Sequence, residues 1–209
     1  MVIDHPIFLE SIRFIRSRLV ANDLNYLEKK VLERLVHTSG DFTVQNLVNF
    51  SEGACEKGLQ ALKNGAPILT DTDMAAAAIK SMAENTTRNK VFTARMWFGK
   101  NNHTNTNLTK TAYGLSEGWK ELSAINSGSK SPIVVIGSSP TALTYLIDIL
   151  ENAKDLPSLI IGMPVGFIGV EKSKNKLIST DLPRIVLNST RGGAAMAAAA
   201  VNALLRETI

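Results

Sequence analysis

The chain has 209 residues, a formal net charge of +4 and a hydrophobic fraction of 44%. A chain of this length fits one α/β domain that buries roughly 70% of the surface of its unfolded form, so we take residues 1–209 as a single domain. Its single cysteine, Cys55, excludes an internal disulfide, and its three scattered histidines do not form a zinc pattern. These features favour a metal-free protein in a reducing, cytoplasmic setting.

Membrane, secreted and nucleic-acid-binding classes also fit poorly. The first residues do not read as a signal peptide, since Arg13, Arg16 and Arg18 interrupt the apolar residues there. The most apolar stretch, residues 192–205, is largely alanine and falls short of the roughly 20 strongly apolar residues of a membrane span. The slight basic excess favours anionic ligands, but no dense basic stripe or aromatic platform for nucleic acid is present. We expect a soluble protein without membrane or nucleic-acid partners.

Helical and strand patterns alternate along the chain. In chain order they predict helices over 6–18, 25–36 and 52–64, a strand over 66–70, a helix over 73–84, a strand over 90–94, a helix over 109–122, a strand over 133–136, a helix over 141–152, strands over 159–161 and 184–187, and a helix over 193–206. Continuous apolar runs indicate strands that helices cover on both faces. We therefore predict a three-layer α/β/α domain with a mainly parallel sheet.

Polar residues between these elements predict caps and one loop. Asp73 is expected to cap a helix that begins at Met74, because a carboxylate accepts hydrogen bonds from the free N–H groups of a helix start. The segment 99–107 is rich in Asn and Thr, which bond locally, so we expect a mobile loop there.

Ligands of open parallel sheets bind beyond the carboxyl ends of the strands, and two of these ends carry glycine-containing turns. The turn over 137–141, with Ser138 and Ser139, brings backbone N–H groups and hydroxyls to a helix start, which suits a carboxylate or phosphate. Arg191 and Gly192 offer a similar turn with a guanidinium that grips carboxylates through two bonds. Both turns are equally compatible with a purely structural role. Neither matches a Walker A loop or a dinucleotide fingerprint.

A third strand end, over 162–167, crowds two glycines and Pro164 among apolar side chains such as Met163. This composition describes a rigid wall for a large, partly apolar ligand. A structural turn packed into the core is the alternative.

His37 is the candidate for proton transfer, because the unperturbed pKa of histidine lies near neutrality. It lies at the end of a helical pattern, where it could instead serve only as a favourable helix-terminal cation. Asp71 and Asp73 could face a ligand or magnesium, or cap the next helix. His103 falls in the polar loop, and His5, before Pro6, is expected to position or cap the first helix.

Several of these segments together resemble the precorrin-8X methylmutase family, also called cobalt-precorrin-8 methylmutase, of vitamin B12 biosynthesis. The matching segments are Val-His-Thr-Ser-Gly-Asp over 36–41, Gly-Ala-Pro-Ile-Leu-Thr-Asp over 65–71, Pro-Thr-Ala-Leu over 140–143, Gly-Met-Pro-Val-Gly-Phe-Ile-Gly-Val-Glu-Lys-Ser-Lys over 162–174, and Arg-Gly-Gly over 191–193 with its continuation through 200–204. The resemblance covers nearly the whole chain.

The resemblance implies a flavodoxin-like sheet, a homodimer with active sites near the subunit interface, and no dissociable cofactor, although the substrate itself can carry cobalt. It implies an isomerase that moves a methyl group from C11 to C12 of precorrin-8X or cobalt-precorrin-8, giving hydrogenobyrinate or cobyrinate. His37 matches the active-site histidine of the family and would donate a proton to a ring nitrogen. The implied contacts with the corrinoid polycarboxylate are Lys110, Thr111, Ser138, Ser139, Met163, Pro164, Arg191 and Gly192.

Two positions depart from the family pattern. Thr109-Lys110-Thr111 stands where the family commonly has Thr-Arg-Ser, and Ser138-Ser139 stands where it commonly has Asn-Ala. Two other hypotheses therefore stay open: a non-catalytic protein that binds the corrinoid product, and an unrelated phosphate- or nucleotide-binding enzyme suggested by the anion-friendly turns alone.

Overall fold

The computed structural model describes residues 5–20, 23–99 and 108–209. In chain order its elements are helix α1 (Pro6–Arg16), helix α2 (Tyr26–Ser39), strand β1 (Val48–Phe50), helix α3 (Ala54–Lys63), strand β2 (Ile68–Thr70), helix α4 (Asp73–Asn85), strand β3 (Val91–Thr93), helix α5 (Lys110–Ile125), strand β4 (Ile133–Ile136), helix α6 (Pro140–Leu150), strand β5 (Leu159–Gly162), helix α7 (Val170–Ile178), strand β6 (Arg184–Leu187) and helix α8 (Ala194–Arg206). Short 3₁₀ helices cover Phe42–Asn46, Ala94–Trp97 and Gly128–Lys130.

The strands form one sheet in the order β1-β6-β5-β4-β2-β3. All neighbours run parallel except β1, which pairs antiparallel with β6 at the edge. The five parallel strands follow the 2-1-3-4-5 order of flavodoxin-like sheets, whose topological switch point here lies between β2 and β4. The predicted fold class is confirmed.

Alternate residues of each strand enter two separate hydrophobic cores, as the period of a strand requires. Ile133 and Val135 of β4 face the core formed with α1 to α4 and α8, whereas Val134 and Ile136 face the core formed with α5, α6 and α7. Helix α1 packs on the outside of α2. The sheet is therefore covered on both sides, and its open ends are left for function.

Two elements were missing from the prediction. Strand β1 is only three residues long and its middle residue is Asn49, so it carried no apolar run. Helix α7 buries Val170, Ser173, Lys174 and Leu177. These positions have helical spacing, but two of the four side chains are polar, which hid the pattern from a hydrophobicity criterion.

The helix ends differ from the prediction in detail. Thr72, not Asp73, caps α4, because its hydroxyl accepts the N–H of Ala75. His5 caps α1 as predicted, through the bond from the N–H of Ile7 to its Nδ1.

Of the predicted mobile loop, residues 100–107 with His103 lie outside the described residues. None of the described helices combines the length and apolarity needed to cross a bilayer.

Candidate functional site

The carboxyl ends of the parallel strands gather the predicted binding residues at one edge of the sheet. The segment before β1 reaches the same edge, because β1 runs antiparallel and the N–H of Asn188 bonds to the carbonyl of Leu47 at 2.7 Å. Helix α2 ends just before this segment, which brings His37 to the same end of the molecule. The parallel topology therefore unites segments that are far apart in the sequence.

Asp71 occupies the switch point between β2 and β4. Its buried carboxylate accepts the N–H groups of Gly137, Ser138 and Ser139 at 3.2, 2.7 and 2.9 Å. Burial raises the pKa of Asp71, while these donors act in the opposite direction. The anion-binding nest expected at residues 137–139 is thus filled by a carboxylate of the chain itself.

The side chains around this nest form a small hydroxyl cluster. Ser139 Oγ caps α6 and lies 3.0 Å from Thr141 Oγ1, which lies 3.0 Å from Thr109 Oγ1. Thr109 caps α5 directly before Lys110 and Thr111. The structure therefore brings four of the predicted contacts, Lys110, Thr111, Ser138 and Ser139, to one place, where hydroxyls and an ammonium replace the occupied N–H groups as possible ligand contacts.

Arg191 lies at the other end of the same edge, in the loop after β6. Its guanidinium donates to the Asp41 carboxylate and, at 2.7 Å, to the Thr43 hydroxyl. Bonds from Thr43, with Arg191 adding to them, hold the pKa of Asp41 below its usual value. Arg191 is thereby tied to the segment that follows His37, with its side chain half exposed.

Lys174 of α7 binds the backbone of the loop that contains Arg191. Its Nζ donates to the carbonyls of Ser189 and Arg191, both at 2.6 Å, and the side chain is completely buried. Burial lowers the pKa of Lys174 to about 8. A buried ammonium with two carbonyl acceptors fixes the backbone that carries the Arg191 guanidinium.

Gly192 and Met163 make a close backbone contact between the loops after β5 and β6. A Cβ at position 192 would lie 2.1 Å from the Met163 carbonyl oxygen, and Gly192 has a φ of 153°. The same oxygen accepts the N–H of Gly193 at 2.9 Å. The role of Gly192 is therefore to let two loops approach.

The predicted contacts Met163 and Pro164 lie in the turn after β5, and their part in substrate binding stays a prediction. Both side chains are buried, Met163 completely, so neither is available to a ligand in this conformation. The apolar surface at this strand end belongs instead to Val165, Phe167 and Ile168, which are 48%, 88% and 90% exposed. Sequence alone does not separate these buried and exposed side chains, because burial alternates over very short distances in a turn.

His37 lies in the last turn of α2, beside a groove between α1 and α2 with a volume of about 530 Å³. The groove is lined by Ile7, Glu10, Ser11, Phe14, Ile15, Val36, His37, Gly40 and Phe42. The Phe8 ring meets the imidazole edge-on, with 5.2 Å between the centroids. Burial and then the charge of Arg34 lower the pKa of His37. Within the part of the chain that the structure describes, no hydrogen bond engages its imidazole.

This groove, called the His37 groove below, contains none of the predicted substrate contacts at the strand ends. The link between the two regions is Asp41, which follows α2 and binds Arg191. Within residues 5–20, 23–99 and 108–209, no three His, Cys, Asp or Glu side chains gather in a metal-binding group.

Two residues of this arrangement escaped sequence reasoning. Asp71 was considered only as a ligand or a cap of the next helix, whereas it caps the turn after β4. Lys174 was quoted only as part of a motif, and a lysine is almost never expected inside a core. The available signal was its helical register with Val170 and Leu177.

Comparisons with known proteins agree with the fold. The family model described as Precorrin-8X methylmutase matches residues 6–207. A relative from Pseudomonas aeruginosa named "Precorrin-8X methylmutase" is 36% identical over 181 residues, covering 86% of this chain and 84% of the relative. A "Cobalt-precorrin-8 methylmutase" from Synechocystis is 30% identical and covers 97% of this chain and 95% of its own length.

A solved structure described as precorrin-8x methyl mutase from Thermus thermophilus superposes with a TM-score of 0.85 at 29% identity. The superposition covers 97% of this chain and 95% of that chain. Sequence and structure thus match over nearly the full length. The chain belongs to the precorrin-8X methylmutase family.

Proposed function

We propose that this chain moves a methyl group from C11 to C12 of precorrin-8X or cobalt-precorrin-8, giving hydrogenobyrinate or cobyrinate. Membership of its family makes it an isomerase of cobalamin biosynthesis. The observation that carries the assignment of the site is His37, an imidazole without a hydrogen-bond partner among the described residues, facing an apolar groove of about 530 Å³.

His37 would act as the acid. Burial and Arg34 lower its pKa, which makes the protonated imidazole a stronger proton donor once it forms. A proton placed on a ring nitrogen withdraws electron density from the adjacent macrocycle and eases a sigmatropic methyl shift. Positioned acid–base groups of this kind contribute about 100- to 10,000-fold to a rate.

The polar groups at the strand ends would hold the carboxylates of the substrate. Arg191 keeps half of its side chain exposed while Asp41 and Thr43 orient it. Lys110 and the hydroxyls of Thr111, Ser138 and Ser139 offer further donors. A lysine provides a point charge, where arginine would form two parallel bonds with one carboxylate, so we expect looser orientation at this position.

We further propose that residues 1–209 act as one domain and that the enzyme is a homodimer with its active sites near the interface. The exposed Phe167 and Ile168 support this, since large apolar side chains at the rim of a site commonly bind a ligand or a partner. The separation of the His37 groove from the strand-end contacts supports it as well, because a second subunit would help enclose a macrocycle.

The proposal includes no dissociable cofactor, and cobalt enters only as part of the substrate. It places the reaction in the cytoplasm, which the free, buried thiol of Cys55 supports.

The test is to incubate the purified protein with precorrin-8X and, separately, with cobalt-precorrin-8, and to follow product formation by absorbance. His37→Gln keeps the size of the side chain but removes the acid, so its kcat should fall about 100-fold or more. The neighbouring, exposed Thr38→Ala is the matched control and should keep its activity.

Unchanged turnover in His37→Gln would remove the histidine from the mechanism. Tight binding of hydrogenobyrinate by a wild-type protein without measurable turnover would instead favour a product-binding protein. This alternative draws support from Asp71, which occupies N–H groups that a catalytic site would otherwise offer to the substrate.

A further inference from the structure

A second cavity, of about 300 Å³, lies on the opposite face of α1 from the His37 groove. It is enclosed by α1, α2 and the end of α8, and it is lined by Phe8, Leu9, Ile12, Arg13, Arg16, Lys30, Glu33, Arg34, Ala203, Arg206, Glu207 and Ile209. None of these residues lines the His37 groove. The two spaces are therefore separate, with α1 between them.

Positive charge dominates the lining of this cavity. Five arginine and lysine side chains face two glutamates. Glu33 is engaged by Arg16 through two bonds of 2.5 and 2.8 Å, and Glu207 lies 3.6 Å from Lys30 and accepts the Tyr26 hydroxyl. Both glutamates thus already have partners, and cationic side chains outnumber acidic ones in the lining.

Arg34 places one of these cationic groups partly inside the protein. Its Nε is buried and has no hydrogen-bond partner, and no ion pair joins its guanidinium to another described residue. Burial lowers the pKa of Arg34 and, as the largest cause, that of Arg206. A buried charged donor without an acceptor is costly unless an anion reaches it.

The aromatic ring of Phe8 brings the two arginines together. The guanidinium carbons of Arg34 and Arg206 lie 5.1 and 4.9 Å from the centroid of this ring. Cation–π contacts orient both groups, and for Arg34 they do not supply the in-plane acceptor that its buried Nε–H requires. Two like charges held around one ring form a receptor for an oxyanion.

We propose that this cavity is an anion site, which binds a small molecule bearing carboxylate or phosphate groups through Arg34 and Arg206, with Arg13 at its mouth. Its volume is at the lower end of small-ligand pockets, about 300–1,000 Å³, and suits an anion the size of citrate. Glu33 and Glu207 keep Arg16 and Lys30 in place beside it. The residues that would bind the anion do not line the His37 groove.

The test is isothermal titration of the full chain with citrate and, separately, with inorganic phosphate at low ionic strength. Wild type should bind one equivalent. Arg34→Met keeps an unbranched apolar side chain beside Phe8 but removes the guanidinium, and it should weaken binding about tenfold or more, the effect of one lost charged hydrogen bond. The exposed Arg13→Gln should weaken binding by a smaller factor, and it keeps the test valid if Arg34→Met fails to fold.

Arg95→Met is the matched control, because Arg95 pairs with Asp73 on an exposed surface outside the cavity. It should leave affinity unchanged. Non-saturating binding to wild type, or equal weakening by Arg95→Met, would overturn the proposal.

A final arm identifies the source of the anion. Displacement of citrate by hydrogenobyrinate would assign the site to a carboxylate of the corrinoid, and indifference would assign it to a free anion. Both results require that the titration has already shown saturable binding of citrate at this cavity. Since the titration needs no turnover, its failure is distinguishable from failure of the isomerase assignment.

Discussion

The loops at the strand ends and the helices α1 and α2 differ in how far the hydrogen-bonding capacity of their polar side chains is satisfied. At the strand ends the buried groups satisfy each other: Asp71 accepts three backbone N–H groups, and Lys174 donates to two carbonyls. On α2, His37 and Arg34 lack hydrogen-bond partners for their side-chain nitrogens among the described residues, and each borders a cavity.

This difference separates polar groups that stabilise the fold from polar groups that are free to bind a ligand. Internal partners give the strand-end loops one conformation, which positions the exposed parts of Arg191 and Ser139. On α1 and α2, Arg16 and Glu33 bind each other, but His37 and Arg34 keep side-chain nitrogens without partners among the described residues. Such unsatisfied groups are favourable only when a ligand completes them. We therefore expect substitutions at the strand ends to act mainly on stability and those on α1 and α2 mainly on binding and protonation.

The largest effect on stability should come from Gly192→Ala. The new Cβ would lie 2.1 Å from the backbone oxygen of Met163, and neither loop can yield easily. We expect a loss of about 3 kcal/mol or more in the free energy of unfolding, measured by urea denaturation. Gly53→Ala is the control, because Gly53 also has a positive φ but nothing within 4 Å of its Cβ position. It should cost only about 1 kcal/mol. Equal losses would show that the two loops are not in tight contact.

Asp71→Asn should have the next largest effect. An amide has only one acceptor oxygen and no charge, so at least one of the three N–H groups of residues 137–139 would lose its bond. We expect a loss of about 2 kcal/mol in the free energy of unfolding. The exposed Asp73→Asn, which weakens only a surface pair with Arg95, should lose under about 1 kcal/mol. A neutral Asp71→Asn would mean that the nest does not depend on the carboxylate.

Lys174→Met should have a smaller effect at neutral pH, because two lost bonds to carbonyls are offset by release of a buried charge. The pH dependence is the sharper measurement. Lys174 has a pKa of about 8 in the folded chain and an ordinary value of 10.5, so the unfolded state binds more protons between these values. Wild-type stability should therefore rise relative to the variant from about pH 8 to 10.5. A pH-independent difference would place Lys174 in a more polar environment than the structure indicates.

The smallest expected effect is a change in the pKa of His37. Its pKa, followed by NMR titration of the imidazole, should lie below the ordinary 6.5 in wild type. Arg34→Met removes the second cause of this shift but leaves the larger cause, burial, in place. The pKa should therefore rise without regaining the ordinary value, while Arg95→Met leaves it unchanged. The acid Glu10 on the facing α1 is retained in both variants. A fall in the pKa of His37 in Arg34→Met would contradict the effect of the Arg34 charge on the imidazole within α2.

Much of the architecture followed from the sequence alone. Short runs of three to five residues located all five parallel strands, and polar segments after them predicted the functional edge, because both signals are local. The resemblance to the family rested on the same segments. His37 lies at the end of a helix and not after a strand; the family resemblance is the main reason to choose it, and its role as an acid stays a prediction.

Tertiary structure decided which polar groups are available. Asp71 meets residues 137–139 only because β2 and β4 are neighbours, a pairing between segments about 65 positions apart that no local pattern encodes. Lys174, Met163 and Pro164 are buried although a lysine and a strand-end turn are ordinarily exposed. The sequence by itself determined the sheet and predicted the place of the site, while packing determined which side chains are exposed, since burial depends on neighbours from distant segments.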